Sequence, residues 1–290
     1  MVQKISPLWS LVLLAGLAAC KNNYVDPDQT AAEQNETAIK NYVAQNNLNA
    51  QRSGSGLYYV ITKTNPNGRK AAIGDELEFS YKLFTLSNVK VDSSKKDTAV
   101  YLPFGVNAML PGLEEGFSLM REGENATLLM PSYLAYGSRS QTLIPANSAV
   151  RFDVQLLGVR TEEQQIADYI TRRKLTVTET TSSGVRIIKT TAVPTGAALT
   201  TGQTVKVNYA GRLLRGATDF DKGTIDVTLG QRQVVTGFEE GISRLRVGEK
   251  ATIIFPSAQG YGTQGRSSNG VYVIPPYAPL AFDIEIVSVR

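Results

Sequence analysis

The run from Leu280 to Ile286 alternates strictly. Leu280, Phe282, Ile284 and Ile286 fall on one side, and Ala281, Asp283 and Glu285 on the other, the pattern of a half-buried β-strand. Pro275 and Pro276 stand just ahead and stiffen the turn that feeds it. Nearly the same phrase occurs earlier: LIPANSAVRFDVQL at 143–156 answers VIPPYAPLAFDIEI at 273–286. Other alternating stretches read as strands too. Leu77, Phe79, Tyr81 and Leu83 form one in the first half, and Val205, Val207 and Tyr209 form one in the second.

The helical pattern is doubled in the same way. ETAIKNYVAQNNL carries Ile39, Tyr42, Val43 and Leu48; EEQQIADYITRRKL carries Ile166, Tyr169, Ile170 and Leu175, each position 127 residues on. The i, i+3, i+4 spacing is one apolar stripe. A second, shorter helix is predicted over PGLEEGF at 111–117 and again over TGFEEGI. Pro111 suits a first helical turn, and Glu114 and Glu115 favour its N-terminal dipole. Gly105, Gly112 and Gly116 answer Gly230, Gly237 and Gly241 at an offset of 125, and Ile144 answers Ile274 at 130, a drift expected where loops vary.

The repeat predicts an α+β fold made twice. Each body is a twisted antiparallel sheet wrapped around a short helix and preceded by a longer one, with an apolar pocket between short helix and concave sheet face. The chain divides into a leader over 1–19, a tether and helix over 20–56, a first body over 57–160, a helical spacer over 161–183 and a second body over 184–290.

Composition narrows the chemistry. There are no histidines and one cysteine, which closes a His-dependent triad, a His or multi-Cys zinc site, a haem on His and a disulfide framework. No metal site and no cofactor is expected. The net charge of +4 comes without a basic run, so no nucleic-acid partner is expected. The opening MVQKISPLWSLVLLAGLAAC has one early charge, Lys4, and an apolar run too short to span a bilayer but suited to an export signal. Its ending, Leu17-Ala18-Ala19-Cys20, resembles a bacterial lipobox, which implies a lipid on Cys20 and an extracytoplasmic location. The other reading is an ordinary signal that leaves Cys20 as a free thiol. The lipid is favoured because the one cysteine sits at the required place.

The ordered strings GFEEGISRLRVGEKATIIFPSAQGYG…VIPPYAPLAFDIEI and GLEEGFSLMREGENATLLMPSYLAYG…LIPANSAVRFDVQL resemble FKBP-type peptidyl-prolyl isomerase domains. The resemblance covers about 57–160 and 184–290 and implies a sheet of five or six strands. Position by position, it implies a second-body site of Tyr209, Phe220, Asp221, Ile225, Val234, Val235, Phe238, Tyr261, Val273, Ile274 and Phe282. The first-body equivalents are Tyr81, Val91, Asp92, Val100, Met109, Leu110, Leu113, Tyr136, Leu143, Ile144 and Phe152. The family's pocket floor is usually Trp; here it is Phe238 in one body and Leu113 in the other. The family's Phe-Asp pair is intact as Phe220-Asp221 but is Val91-Asp92 in the first body, and the family's histidine after Tyr-Gly is missing from both.

The resemblance implies a lipid-anchored isomerase and folding helper that faces the periplasm, with the second body the better-equipped site. Phe238, Phe220, Phe282 and Ile225 would cup a proline ring. Tyr261 would donate to a substrate carbonyl, the backbone N–H of Ile274 or Val235 would bind another, and Asp221 with Tyr209 would form the polar wall. The partners expected are proline-containing unfolded or partly folded exported proteins, and the membrane through Cys20; the oligomeric state is left open. The alternative is a non-catalytic chaperone or envelope-assembly factor that binds such segments without turning them over. A Ser/Lys hydrolase ranks last, since no strand-to-helix Ser elbow recurs in both copies.

Overall fold

Helices with an apolar stripe alternate with sheets along the described chain, residues 27–96 and 98–290 of a computed structural model. The leader over 1–19 and Cys20 lie outside the described residues. The α-helices are α1 (Pro27–Gln45), α2 (Pro111–Leu119), α3 (Glu162–Arg173) and α4 (Thr236–Ser243). Helix α3 shows why such segments stop and start where they do. Thr161 caps it, accepting from the Gln164 N–H at 3.2 Å, while the Gln164 side chain accepts from the Thr161 N–H at 2.9 Å. Glu162 and Glu163 fill the first turn, Arg172 and Arg173 the last, and Lys174 ends it in the left-handed region at φ 52°.

In the first body one sheet runs, in spatial order, Gln51–Arg52, Tyr58–Lys63, Asn125–Met130, Val150–Arg160, Glu76–Thr85 and Lys90–Ser93, with Val100–Pro103 also on Glu76–Thr85. In the second body the order is Asp221–Thr228, Thr204–Leu213, Leu280–Val289, Lys250–Phe255, Arg186–Thr191 and Glu179–Thr180. The pairings are antiparallel throughout. The seventh strand of the first sheet arises from a split edge. Asp221–Thr228 pairs unbroken with Thr204–Gly211, whereas its counterpart is interrupted: Lys90–Ser93 covers Lys82–Phe84, and Val100–Pro103 covers Glu76–Phe79.

Alternation along the strands puts one helix on each sheet face. Ile187, Ile253 and Phe282 face α4, where Phe238 and Ile242, with Leu245 just beyond the helix, complete the core. Ile188, Ile254 and Ala281 face the other way and receive Ile166 and Tyr169 of α3. In the first body Ile39 and Tyr42 of α1 dock in the same manner on Tyr58, Leu129 and Ala149. The predicted spacer is therefore built onto the second sheet along its apolar stripe.

One arginine stands at the centre of the contact between the two bodies. Arg215 Nε lies 2.9 Å from both carboxylate oxygens of Glu76, its Nη2 is 3.1 Å from Asp168 of α3, and its guanidinium covers the Tyr101 ring at 3.9 Å. Arg160 joins the same carboxylates, 3.2 Å from Glu76 and also paired with Glu78. Beside this cluster the Tyr277 ring of the second body lies on Gly74 of the first; a Cβ there would come within 2.6 Å of it. Arg215→Ala is expected to weaken the docking of the bodies by about 2 kcal/mol, the scale of a lost charge-assisted hydrogen bond. Small-angle scattering should show a larger maximum dimension, with the unfolding midpoint of each body nearly unchanged.

Candidate active site

The pocket is set by how deeply α4 sinks into the sheet. Gly237 and Gly241 lie one turn apart on its inner side; a Cβ on them would be 2.4 Å from Phe255 Cγ and 2.6 Å from Ile253 Cδ1. With no Cβ in the way, the helix rests on the strand Lys250–Phe255 and brings Phe238 down onto Phe282, with ring centroids 5.2 Å apart at 81°. Tyr209 meets Phe238 edge-on at 5.9 Å and 88°, and Phe220 meets Phe282 at 5.7 Å and 85°. Edge-to-face contacts of this kind suit the ring quadrupoles. Phe255 stacks beneath Phe282 at 5.7 Å and 10°.

The residues predicted for the second body therefore converge. Phe238, Phe282 and Ile274 are buried and form the floor, while Tyr209, Phe220, Ile225, Val234, Val235, Tyr261 and Val273 are half-buried around them. Asp221 is exposed at the rim beside Tyr209. Burial, followed by the neighbouring Asp221 carboxylate and its hydrogen bond, pushes the Tyr209 phenol above its ordinary pKa.

One contributor is not singled out by the sequence reading. A Cβ on Gly211 would lie 2.4 Å from Phe282 and 2.8 Å from Phe220, so this glycine makes room for the two rings to cross the strand. Its counterpart is Leu83: Gly211 stands opposite Asp221 and Phe282, and Leu83 opposite Asp92 and Phe152. The available signal is a glycine inside an otherwise regular strand pattern, VKVNYAGRL, which marks a close approach.

The first-body residues also assemble, with different chemistry. Leu113, Ile144 and Phe152 are buried, and Val91, Val100, Met109, Leu110 and Tyr136 are half-buried against the same core. Tyr81 lies 5.8 Å from Phe152 and donates to Asp92 Oδ2 at 2.7 Å. Leu83 fills the space that Gly211 leaves open, and the aromatic mass moves inward, to a Phe79–Phe117 pair at 4.7 Å. One first-body expectation changes: Leu143 is 47% exposed and turned out of the pocket. The neighbouring Ile144 N–H is bonded to the Gln141 carbonyl at 3.1 Å. The second body instead extends this region as a hairpin, Arg266–Ser268 with Val271–Ile274, whose Val271 and Tyr272 are 69% and 48% exposed. It leads directly into Ile274.

Residues 67–157 and 196–287 each match the family model for FKBP-type peptidyl-prolyl cis-trans isomerase. The human peptidyl-prolyl cis-trans isomerase FKBP10 is 30% identical over 239 residues, which is 80% of this chain and 37% of that protein. The mouse FKBP9 isomerase is 27% identical over 225 residues, 76% of this chain and 35% of its own. The yeast isomerase FPR2 is 39% identical over 94 residues, 31% of this chain and 67% of its own. This chain thus spans little over a third of the human and mouse relatives. Among solved structures, FkpA from Escherichia coli is 25% identical with a TM-score of 0.39, covering 46% of this chain and 62% of that one. The three FKBP domains of wheat FKBP73 are 19% identical with a TM-score of 0.38, covering 82% and 96%.

The tyrosine–aspartate pairs have a pH signature. Burial first, then the hydrogen bond and charge of Asp92, push Tyr81 up to about 12. The folded chain holds this proton more tightly than the unfolded one. The pair's stabilisation is therefore complete below the ordinary tyrosine value of about 10 and is lost as pH rises through the folded value. Tyrosinate absorbance at alkaline pH should contain a late-titrating component that Tyr81→Phe removes.

Proposed function

Because the chain belongs to the FKBP-type peptidyl-prolyl cis-trans isomerase family, we propose that its second body accelerates cis–trans exchange at X-Pro bonds of unfolded or partly folded exported proteins. The observation that carries this is the ring cluster of Phe238, Phe282, Phe220 and Tyr209 with Ile274 at its edge. Rotation about a peptide bond faces a barrier of about 18–20 kcal/mol, and before proline the exchange takes tens of seconds or longer. The planar amide carries resonance charge on its oxygen, and the twisted transition state carries less. An apolar, water-poor cup favours the less polar twisted form, and a fitted proline ring holds it there. No proton shuttle is needed, so a chain without histidine is equal to the task. In this reading Phe238, Phe220, Phe282 and Ile225 cup the ring, Tyr261 donates to a substrate carbonyl, and Tyr209 with Asp221 forms the polar wall.

The first body favours a second role, that of holding proline-containing segments with little turnover. Leu113 stands where Phe238 does, Val91 where Phe220 does, and Leu83 closes the space between them. The groove keeps its Tyr81–Asp92 wall and Phe152 but lacks rings at the positions of Phe238 and Phe220. The lipobox-like ending at Cys20 supports a lipid anchor and a periplasm-facing position.

Two outcomes test these readings. Phe238→Leu gives the second body the floor of the first and keeps the position apolar; prolyl exchange measured on short X-Pro peptides should slow by roughly tenfold, equivalent to about 1.4 kcal/mol of transition-state stabilisation. An unchanged rate would remove Phe238 from the site. Cys20→Ser should move the protein from the membrane fraction to the soluble one and abolish labelling by a fatty-acid analogue.

A further inference from the structure

Helices α1 and α3 both precede the segments matched by the family model, yet each sends one polar side chain to the turn that carries a pocket tyrosine. Glu162, on the first turn of α3, accepts the Ser257 N–H at 2.6 Å and the Ser257 hydroxyl at 2.7 Å. Ser257 is buried, and its own carbonyl accepts the N–H groups of Gly260 and Gly262, both at 2.8 Å. Those two glycines flank Tyr261. Gly262 in turn accepts the Tyr277 N–H at 2.9 Å, which joins this turn to the loop behind Ile274.

The first body repeats the circuit with an amide. Asn35 of α1, 4% exposed, accepts the Ser132 N–H at 2.6 Å and donates to the Asn147 carbonyl at 2.8 Å. The Ser132 carbonyl accepts from Ala135 at 2.9 Å and Gly137 at 2.8 Å, on either side of Tyr136, and Asn147 N–H reaches the Gly137 carbonyl at 2.8 Å. Asn35 and Glu162 are 127 residues apart, the same offset as the apolar stripes of their helices. Those stripes already anchor the helices: Ile39 and Tyr42 on one sheet, Ile166 and Tyr169 on the other. Docking the helices does not by itself call for a polar acceptor aimed at a serine.

We propose that Glu162 is a positioning residue that fixes Tyr261 through Ser257, and that Asn35 does the same for Tyr136 through Ser132. The helix ahead of each body is thereby part of its pocket. Charge-assisted bonds suit this use because they are short and directional, and a pocket side chain is only as well placed as the groups that hold it. The consequence for turnover rests on the isomerase reading above; the consequence for the turn does not.

The test uses the full chain with Glu162→Ala and Glu162→Gln. Glutamine keeps an acceptor for the Ser257 N–H, as Asn35 does for the Ser132 N–H, and adds a donor for the Ser257 hydroxyl; alanine keeps neither. In Glu162→Ala, amide hydrogen exchange at Gly260 and Gly262 should quicken about tenfold, with the strand Lys250–Phe255 protected as before. The second body's share of kcat/KM, taken against the same chain carrying Phe238→Leu, should fall about tenfold. Glu162→Gln should restore both to within about twofold. If Glu162→Ala unfolds the second body, Ser257→Ala, which deletes one bond and touches no helix residue, should give a smaller rise at the same two amides. Unaltered exchange at Gly260 and Gly262 would overturn the proposal, as would equal losses in the Ala and Gln variants. A wild-type chain that does not accelerate prolyl exchange would overturn the isomerase reading alone, and the exchange arm would then decide the role of Glu162.

Discussion

Each short helix can lie where it does only because two of its positions, one turn apart, have no side chain. Gly237 and Gly241 rest on Phe255 and Ile253, and Gly112 and Gly116 rest on Met130 and Leu128 in the same way. A methyl group at any of the four would press into a packed side chain at under 3 Å, and interiors at crystal-like density have little slack to absorb it. Once helix and strand touch, the remaining geometry follows. The residue after the first glycine, Phe238 or Leu113, points into the concave face, and the loop before the last strand must pass over it with Ile274 or Ile144 buried beneath.

On this shared frame the two bodies distribute their aromatic side chains differently. The second gathers rings in the pocket, where Phe220, Phe238 and Phe282 meet edge-on. The first pairs Phe79 with Phe117 deeper in the core and has Leu113, Val91 and Leu83 at the corresponding pocket positions. Gly211 against Leu83 is the smallest of these exchanges and controls the others, since a side chain at 211 would displace Phe282 and Phe220 together.

The sheet strands, the short helices and the convergence of Tyr209, Phe220, Phe238, Ile274 and Phe282 were legible in the sequence. The strands and helices depend on local periodicity; the pocket residues were placed by the resemblance of the ordered strings to the family. What escaped depends on side chains that meet across long separations. Arg215 and Glu76 are 139 residues apart, and Glu162 and Ser257 are 95 apart. Neither pair leaves a mark in hydrophobic patterning. The stretch TQGRSSNGVY reads as a long loop because its exposed hairpin strands have no buried face to impose alternation. Leu143 reads as pocket by analogy with Val273; without that hairpin its strand is reduced to a single bridge, Gln141 with Ile144, and the side chain is released to solvent.

The strand order has a temporal meaning. In both sheets the strand latest in sequence, Val150–Arg160 or Leu280–Val289, lies in the interior between strands formed from earlier segments. Neither sheet can join its two halves until that strand is inserted, and such non-local closure is slow compared with helix formation. Because a chain is made from its N-terminus, the first body can close as soon as Arg160 is available, before the sheet of the second has appeared. Its last strand runs straight into α3, which then offers Ile166 and Tyr169 as a ready apolar surface for the arriving sheet. The finished first body is in this sense a template, present at the site of assembly before its twin begins to fold.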